Sequence, residues 1–282
     1  MNPDERSSNV ITFLGTTPNI GTTLIALATG VRLAEQTHKR VAYLCLNLKS
    51  SKLHRYIGVD EKRASLDELL PHLRNESLNQ QLLHHAMHRY SSTLELYILF
   101  GNRYRETAEF YGVEELTHLI ETARKAYDYV LLDVSAYWDN AGTISALLEA
   151  ERIIVATTDA LSHFQEDYLS WIGVMGGHIQ LDSKALFYAV IKHRGGLYQP
   201  RHCYSQFAGE ELPAVTIPFS LYEALDRGEL KQWLKQRGEG SKWLSSYAKH
   251  FAPAASERAA GSRKLKRNRS LSAAAAMLFK QD

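Results

Sequence analysis

VITFLGTTPNIGTTLIALATGVRLAE, Val10–Glu35, is the stretch on which the reading of the whole chain turns. It opens on an apolar, β-branched run (Val10–Leu14), passes through a small-residue turn (Gly15–Thr23) and continues as a helical run (Leu24–Glu35). A strand that enters a helix through such a turn presents free backbone N–H groups and the positive end of the helix dipole, a setting that suits phosphate. In the ordinary loop of the form GxxxxGK[ST], a lysine adds a full charge near the phosphates and a hydroxyl holds magnesium. Here Gly21 and Thr23 stand at the glycine and hydroxyl positions, and Thr22 stands where the lysine belongs. The plainer reading of the same residues is a tight turn with Thr22 or Thr23 capping the helix.

Outward from this stretch, apolar runs alternate with amphipathic ones. Strands are expected at 10–14, 40–46, 94–100, 127–134, 152–158, 185–191 and 214–219, and helices at 22–35, 65–73, 78–90, 113–126, 142–150 and 161–174. Nearly continuous apolar strands separated by helices predict a doubly wound α/β fold, with a mostly parallel sheet covered on both faces. Ligands in such folds bind beyond the carboxyl ends of the strands. After Pro218 the pattern is helical only, with Trp233, Trp243 and Tyr247 expected to pack closing helices onto the sheet.

The division expected is a domain over 1–250 and a basic, flexible tail over 251–282 with a short terminal helix. From Phe251 onward seven basic residues stand against two acidic ones, which leaves the tail at +5 and, from a total of +2, the rest at about −3. An electrostatic partner, whether an anionic membrane or DNA, is therefore expected at Arg263, Lys264, Lys266, Arg267 and Arg269. No apolar stretch approaches the roughly 20 residues that span a bilayer, and the polar start MNPDERSSN does not resemble a secretory signal. These features predict a cytoplasmic protein, peripheral at the inner face of the membrane if the tail binds lipid. Cys45, in an expected strand, and Cys203, in an expected loop, offer no disulfide framework. His84 and His88 stand four apart, a spacing able to hold a metal on a helix, but no third ligand follows and a solvated helix face is the simpler expectation.

From about Asn9 to Phe219 the chain resembles the ParA/MinD group of P-loop ATPases, whose loop runs KGGxGKT[ST] with a second lysine at its start. Laid on TPNIGTT, that pattern sets Thr17 at the signature lysine, Pro18 and Asn19 at two glycines, Ile20 at the variable position, Gly21 at the invariant glycine, Thr22 at the second lysine and Thr23 at the magnesium hydroxyl. The family's second strand ends in a pattern like DxDxQ, where Cys45 and Asn47 stand here. YDYVLLDVSA matches the family's Walker B strand, with Asp133 at the magnesium-linked aspartate and Ser135 in place of a usual proline. The adenine-reading asparagine falls near Lys192.

The resemblance implies a degenerate member with no required cofactor. ATP or ADP with magnesium would bind weakly, with Thr23 and Asp133 as the residues to hold the ion. One lost lysine is worth about 10- to 100-fold in nucleotide affinity. One lost transition-state donor is worth roughly 10²–10³ in rate. Within the group the chain is most similar to the TadZ/CpaE branch, which implies a pseudo-ATPase that localises pilus or secretion machinery, with protein partners of that assembly and a homodimer that is constitutive, nucleotide-independent or absent. Two alternatives follow from the same resemblance: a nucleotide-dependent ATPase of DNA partition or cell-division-site positioning, and a tyrosine-kinase-like enzyme, whose loop shares the Thr-Pro start but whose family usually ends in a tyrosine cluster, whereas no tyrosine follows Tyr247 here.

Overall fold

The computed structural model describes residues 9–49, 51–134, 136–160, 162–163, 168–179, 185–192, 210–212, 214, 216–236 and 240–252. Strand β1 (Asn9–Gly15) lies between β5 (Tyr129–Asp133) and β6 (Arg152–Thr157), parallel to both. Its side chains alternate between two cores: Val10 and Leu14 face one, Ile11 and Phe13 the other. A strand buried on both sides needs apolar residues at every step, which is why VITFL does not alternate with polar residues. Thr12, the polar member of the run, donates its hydroxyl to the Ala146 carbonyl at 2.8 Å.

The other strands are β2 (Val41–Cys45), β3 (His88–Ser91), β4 (Leu94–Leu99), β7 (Ala185–Val190) and the two-residue β8 (Glu210–Glu211). Their order across the sheet is β3-β4-β2-β5-β1-β6-β7-β8, and the β3–β4 hairpin is its antiparallel pair. The expected doubly wound, mostly parallel sheet is therefore present. From β1 the chain builds toward β3 and then crosses to β6 and β7, so β1 and β6 flank the point where the order reverses and a crevice opens at the carboxyl ends.

Helices cover both faces. On one lie α1 (Thr22–Thr37), α2 (Leu53–Tyr56), α8 (Phe219–Asp226), α9 (Leu230–Lys235) and α10 (Gly240–Phe251); on the other lie α3 (Leu66–Arg74), α4 (Gln80–His85), α5 (Val113–Ala126), α6 (Ala141–Glu149) and α7 (Leu169–Met175). Leu24 to Ala34 of α1 are buried without interruption, because α1 is pressed between the sheet and the closing helices. Gly30 permits the close approach: a Cβ there would stand 2.8 Å from Leu131 Cδ1 on β5. Arg32, nearly buried in α1, donates Nη2 to the Leu234 carbonyl of α9 and Nη1 to Glu35, each at 2.5 Å. Tyr247 is fully buried and Trp233 partly so, in the same core, as expected of closing helices. Behind α2, the turns at Gly58 and Gly228 touch backbone to backbone. A Cβ on Gly58 would lie 2.9 Å from the Gly228 oxygen, one on Gly228 2.7 Å from the Arg55 oxygen, and both residues have φ near +70°.

Two expected elements differ. The helix expected over 78–90 ends at His85, and His88–Ser91 pair with β4 as a strand. The strand expected at 214–219 is absent among the described residues: Phe219 opens α8 with Pro218 as its N-cap, and the edge of β7 is taken by Glu210–Glu211 and by the Leu212 amide, which donates to the Tyr188 carbonyl at 2.8 Å. The helix expected over 161–174 is described as such at Leu169–Met175. No helix among the described residues is long and apolar enough to cross a membrane. Cys203, Ser135 and the tail cations Arg263, Lys264, Lys266, Arg267 and Arg269 lie outside the described residues.

Candidate functional site: the loop between β1 and α1

The loop is tied to β6 at its start. The Thr16 amide donates to the Ala156 carbonyl at 2.9 Å and the Thr16 hydroxyl bonds to that of Thr157 at 3.1 Å. The chain then turns through two left-handed residues, Asn19 (φ +61°) and Gly21 (φ +110°). Glycine adopts that conformation without steric cost. Gly15 serves a different need, since a Cβ there would meet the Thr22 hydroxyl at 2.6 Å. Thr22, at the lysine position, thus folds its side chain back against the start of the loop. Thr17 is half-buried, Pro18 and Asn19 are exposed and Ile20 is buried.

Neither Thr22 nor Thr23 caps the helix. Both lie within its first turn, and the N-cap is Gly21, which makes no side-chain cap hydrogen bond. The cap expected in the plainer reading is therefore absent, and the first backbone amide with a helical acceptor is that of Ile25, bonded to the Gly21 carbonyl. The amides ahead of it carry the unneutralised partial charge of a helix start.

Beside the loop lies a cavity of about 350 Å³, walled by Pro18, Asn19 and Ile20 on one side and by Thr158, His163 and Lys192 on the other. Thr158 bonds through its hydroxyl to His163 Nδ1 at 2.9 Å. Lys192, just past β7, has φ +59°, a conformation uncommon outside glycine, and its Nζ donates to the Asn19 carbonyl at 3.0 Å. The position set against the family's adenine-reading asparagine is thus a cation that reaches the loop.

Beneath the loop stands the carboxyl of Asp133, at the end of β5. Its neighbours follow from register: Cys45 pairs with Asp133, and Tyr43, two residues earlier on β2, points to the same face. Tyr43 donates its hydroxyl to Asp133 Oδ2 at 2.6 Å, while Oδ1 has no hydrogen-bond partner. The Thr23 hydroxyl also favours the ionised carboxyl, without the geometry of a full hydrogen bond to Oδ1. Burial dominates and pushes the Asp133 pKa up to about 6, against the opposing pull of Tyr43 and then Thr23. Burial, then Asp133, push the Cys45 thiol up to about 12, so it is a neutral thiol. Asn47 turns its side-chain oxygen to the Lys49 amide at 3.3 Å.

A hard cation needs oxygen ligands, and anionic ones first. Of the positions set against the family's acids, Cys45 is a neutral thiol and Asn47 is engaged locally, so the oxygens this chain would offer a magnesium ion are the free Oδ1 of Asp133 and the Thr23 hydroxyl, with Tyr43 holding Oδ2.

The histidine pair is not a site. His84 lies in the last turn of α4 with Nδ1 bonded to the Tyr127 hydroxyl at 3.0 Å, whereas His88 belongs to β3, so the two do not share a helix face. No group of three His, Cys, Asp or Glu side chains able to hold a metal exists among the described residues. Tyr43 was the residue that sequence reasoning passed over. Its signal is the two-residue spacing from Cys45, which in a strand sets both on one face.

No family model matches the sequence, and no curated protein is similar enough in sequence to match it. Solved structures share its fold. A ParA family ATPase from Chlorobium tepidum superposes with a TM-score of 0.76 at 16% identity, covering 88% of this chain and all of its own. The septum site-determining protein MinD from Pyrococcus horikoshii, complexed with Mg-ADP, gives 0.71 at 17% identity, with 87% and 96% of the two chains covered. A plasmid partition protein from Borrelia burgdorferi bound to AMPPNP gives 0.62 at 10% identity, over 86% and 98%. The chain thus has the α/β fold of these P-loop proteins.

Proposed function

We propose that this chain is a degenerate ParA/MinD-like protein that keeps the fold as an interaction platform and does not turn over ATP at the rate of an ordinary member. The observation that carries the reading is the pairing of Tyr43 with Asp133 under a loop that has threonine at both lysine positions, Thr17 and Thr22. Phosphoryl transfer depends on positioned cations and metal. With one donor worth roughly 10²–10³ in rate, the loss of two cations removes about 10⁴ or more. The test is ATP turnover by the full-length protein at saturating ATP and magnesium. Turnover at the rate of an ordinary ParA or MinD protein refutes the reading.

The partner class proposed is a localised bacterial assembly, pilus or secretion machinery, as in the TadZ/CpaE branch. A second reading is favoured by the fold neighbours themselves, which include a septum site-determining protein and a plasmid partition protein. In it the chain positions DNA or the division site in a nucleotide-dependent way. Salt-sensitive binding of the full-length protein to DNA or to anionic vesicles, lost when Arg263, Lys264, Lys266, Arg267 and Arg269 are changed to glutamine, supports the second reading over the first.

A further inference from the structure

We propose that Lys231 is a modification site, a lysine that takes the acyl group of a small acyl phosphate, with His88 as the base and Lys235 as the anchor for the phosphate. The three residues meet at the seam between α9 and the edge strand β3, outside the β1–α1 loop and its cavity, so the modification does not depend on whether the chain binds nucleotide.

Lys231 is half-buried in α9, with its Nζ 3.5 Å from His88 Nε2 and 5.2 Å from the centre of the Tyr90 ring, both on β3. On α1, which packs against the same tyrosine, Glu35 is taken up by Arg32. An ammonium set among neutral rings and beside a second cation holds its proton less firmly: burial, then the Lys235 charge, pull the Lys231 pKa below its ordinary value. The neutral amine is the nucleophile, so a larger share of Lys231 than of an ordinary lysine is ready to react. Burial, then Lys231, likewise pull the His88 pKa down. The ring is therefore neutral near pH 7, and in the tautomer with its proton on Nδ1 its Nε2 accepts a proton from the amine.

The chemistry balances within these groups. Lys231 Nζ attacks the carbonyl carbon of the acyl phosphate, a C–N bond forms, the C–O bond to the phosphate breaks, and inorganic phosphate leaves with the electron pair. The proton given up by the amine passes to His88 and from there to solvent, through a cavity of about 560 Å³ that His88 lines with Met87 and Phe100. Lys235, exposed and four residues on along the same face of α9, offers the anionic phosphate a full positive charge. A carboxylic anhydride has no phosphate for it to hold. The product is a neutral amide, so the attraction between the Lys231 charge and the face of Tyr90 is lost, and the seam between α9 and β3 is loosened.

The experiment is a time course of the full-length protein with acetyl phosphate near neutral pH, read as acetylation at each lysine by peptide mass spectrometry, and repeated with acetic anhydride and with the variants His88→Gln and Lys235→Gln. Lys231 and Lys235 share one helix, so their comparison in the unaltered protein needs no variant. The expected result is acetylation of Lys231 by acetyl phosphate about tenfold faster than of Lys235, less than the roughly 10²-fold of a well-placed general base because Nε2 stands at 3.5 Å. His88→Gln and Lys235→Gln, each verified as folded by circular dichroism, lower the Lys231 rate several-fold, and acetic anhydride shows a weaker preference between the two lysines. The proposal is overturned if Lys231 reacts no faster than Lys235, if folded His88→Gln keeps the full rate, or if acetic anhydride prefers Lys231 as strongly as acetyl phosphate does.

Discussion

Replacing Tyr43 with phenylalanine should weaken the protein in a way that depends on pH. The substitution removes one oxygen and leaves both oxygens of a fully buried carboxyl without a hydrogen-bond partner. Asp133 titrates at about 6 in the folded protein. An exposed aspartate titrates at about 3.9, so the folded state binds the proton more tightly. The sign follows: the group's contribution is intact below about pH 4 and is lost as pH rises through about 6, at a total of about 3 kcal/mol. A hydrogen bond to the ionised carboxyl contributes about 1.5–3 kcal/mol and one to the neutral acid about 1. Tyr43→Phe therefore costs about 1 kcal/mol at pH 5, where Asp133 is mostly protonated, and about 1.5–3 kcal/mol at pH 8. The difference moves the folded pKa of Asp133 from about 6 to about 6.5–7.5. Urea unfolding of both proteins at the two pH values measures this directly, because other titrating groups cancel in the comparison. An equal cost at pH 5 and pH 8, or a smaller one at pH 8, refutes the account of the pair.

Gly30→Ala should destabilise despite its better helix propensity. The new methyl meets Leu131 Cδ1 at 2.8 Å, and overpacking of about 1–3 kcal/mol exceeds or cancels a propensity gain of about 1 kcal/mol, as thermal or urea unfolding will report. The Cys45 thiol, fully buried and pushed up to about 12, should resist iodoacetamide at pH 8 in the native protein and react once the chain is unfolded, as read on the Cys45 peptide by mass spectrometry.

The central strands and α1, α5 and α6 were legible because their periodicity is set by burial on two faces. Val113–Ala126 matches its expected bounds for that reason. What failed depends on partners distant in sequence. LNQQLLHHAMHRY carries apolar residues at helical spacing, yet its last part is claimed by β4, through the pairs His88 with Ile98 and Arg89 with Tyr97. AVTIPF has the composition of a strand, but Pro218 has no amide to offer a ladder, and it serves instead as the N-cap of a helix. At the site, the threonines at positions 17 and 22 were plain from the residues alone. The phenol on Asp133 and the reach of Lys192 to Asn19 were not, since each joins residues that only strand order brings together, 90 and 173 positions apart.

The contact between Gly58 and Gly228 has a consequence for how such a chain can vary. Neither position accepts a side chain while the other loop stays where it is, and both have φ near +70°, which disfavours any other residue even where space exists. A single substitution at either turn therefore meets a double penalty, and a change tolerated at one demands a shift of the other in the same step. At the tip of the β1–α1 loop the constraint is lighter: Pro18 is exposed and its replacement disturbs no packed neighbour, while Asn19, exposed too, is restricted only by its φ of +61°. Divergence is thus channelled, with the seam between α2 and α8 fixed and the exposed tip of the β1–α1 loop freer to vary. A protein so arranged can lose a chemistry by drift while its architecture stays the same.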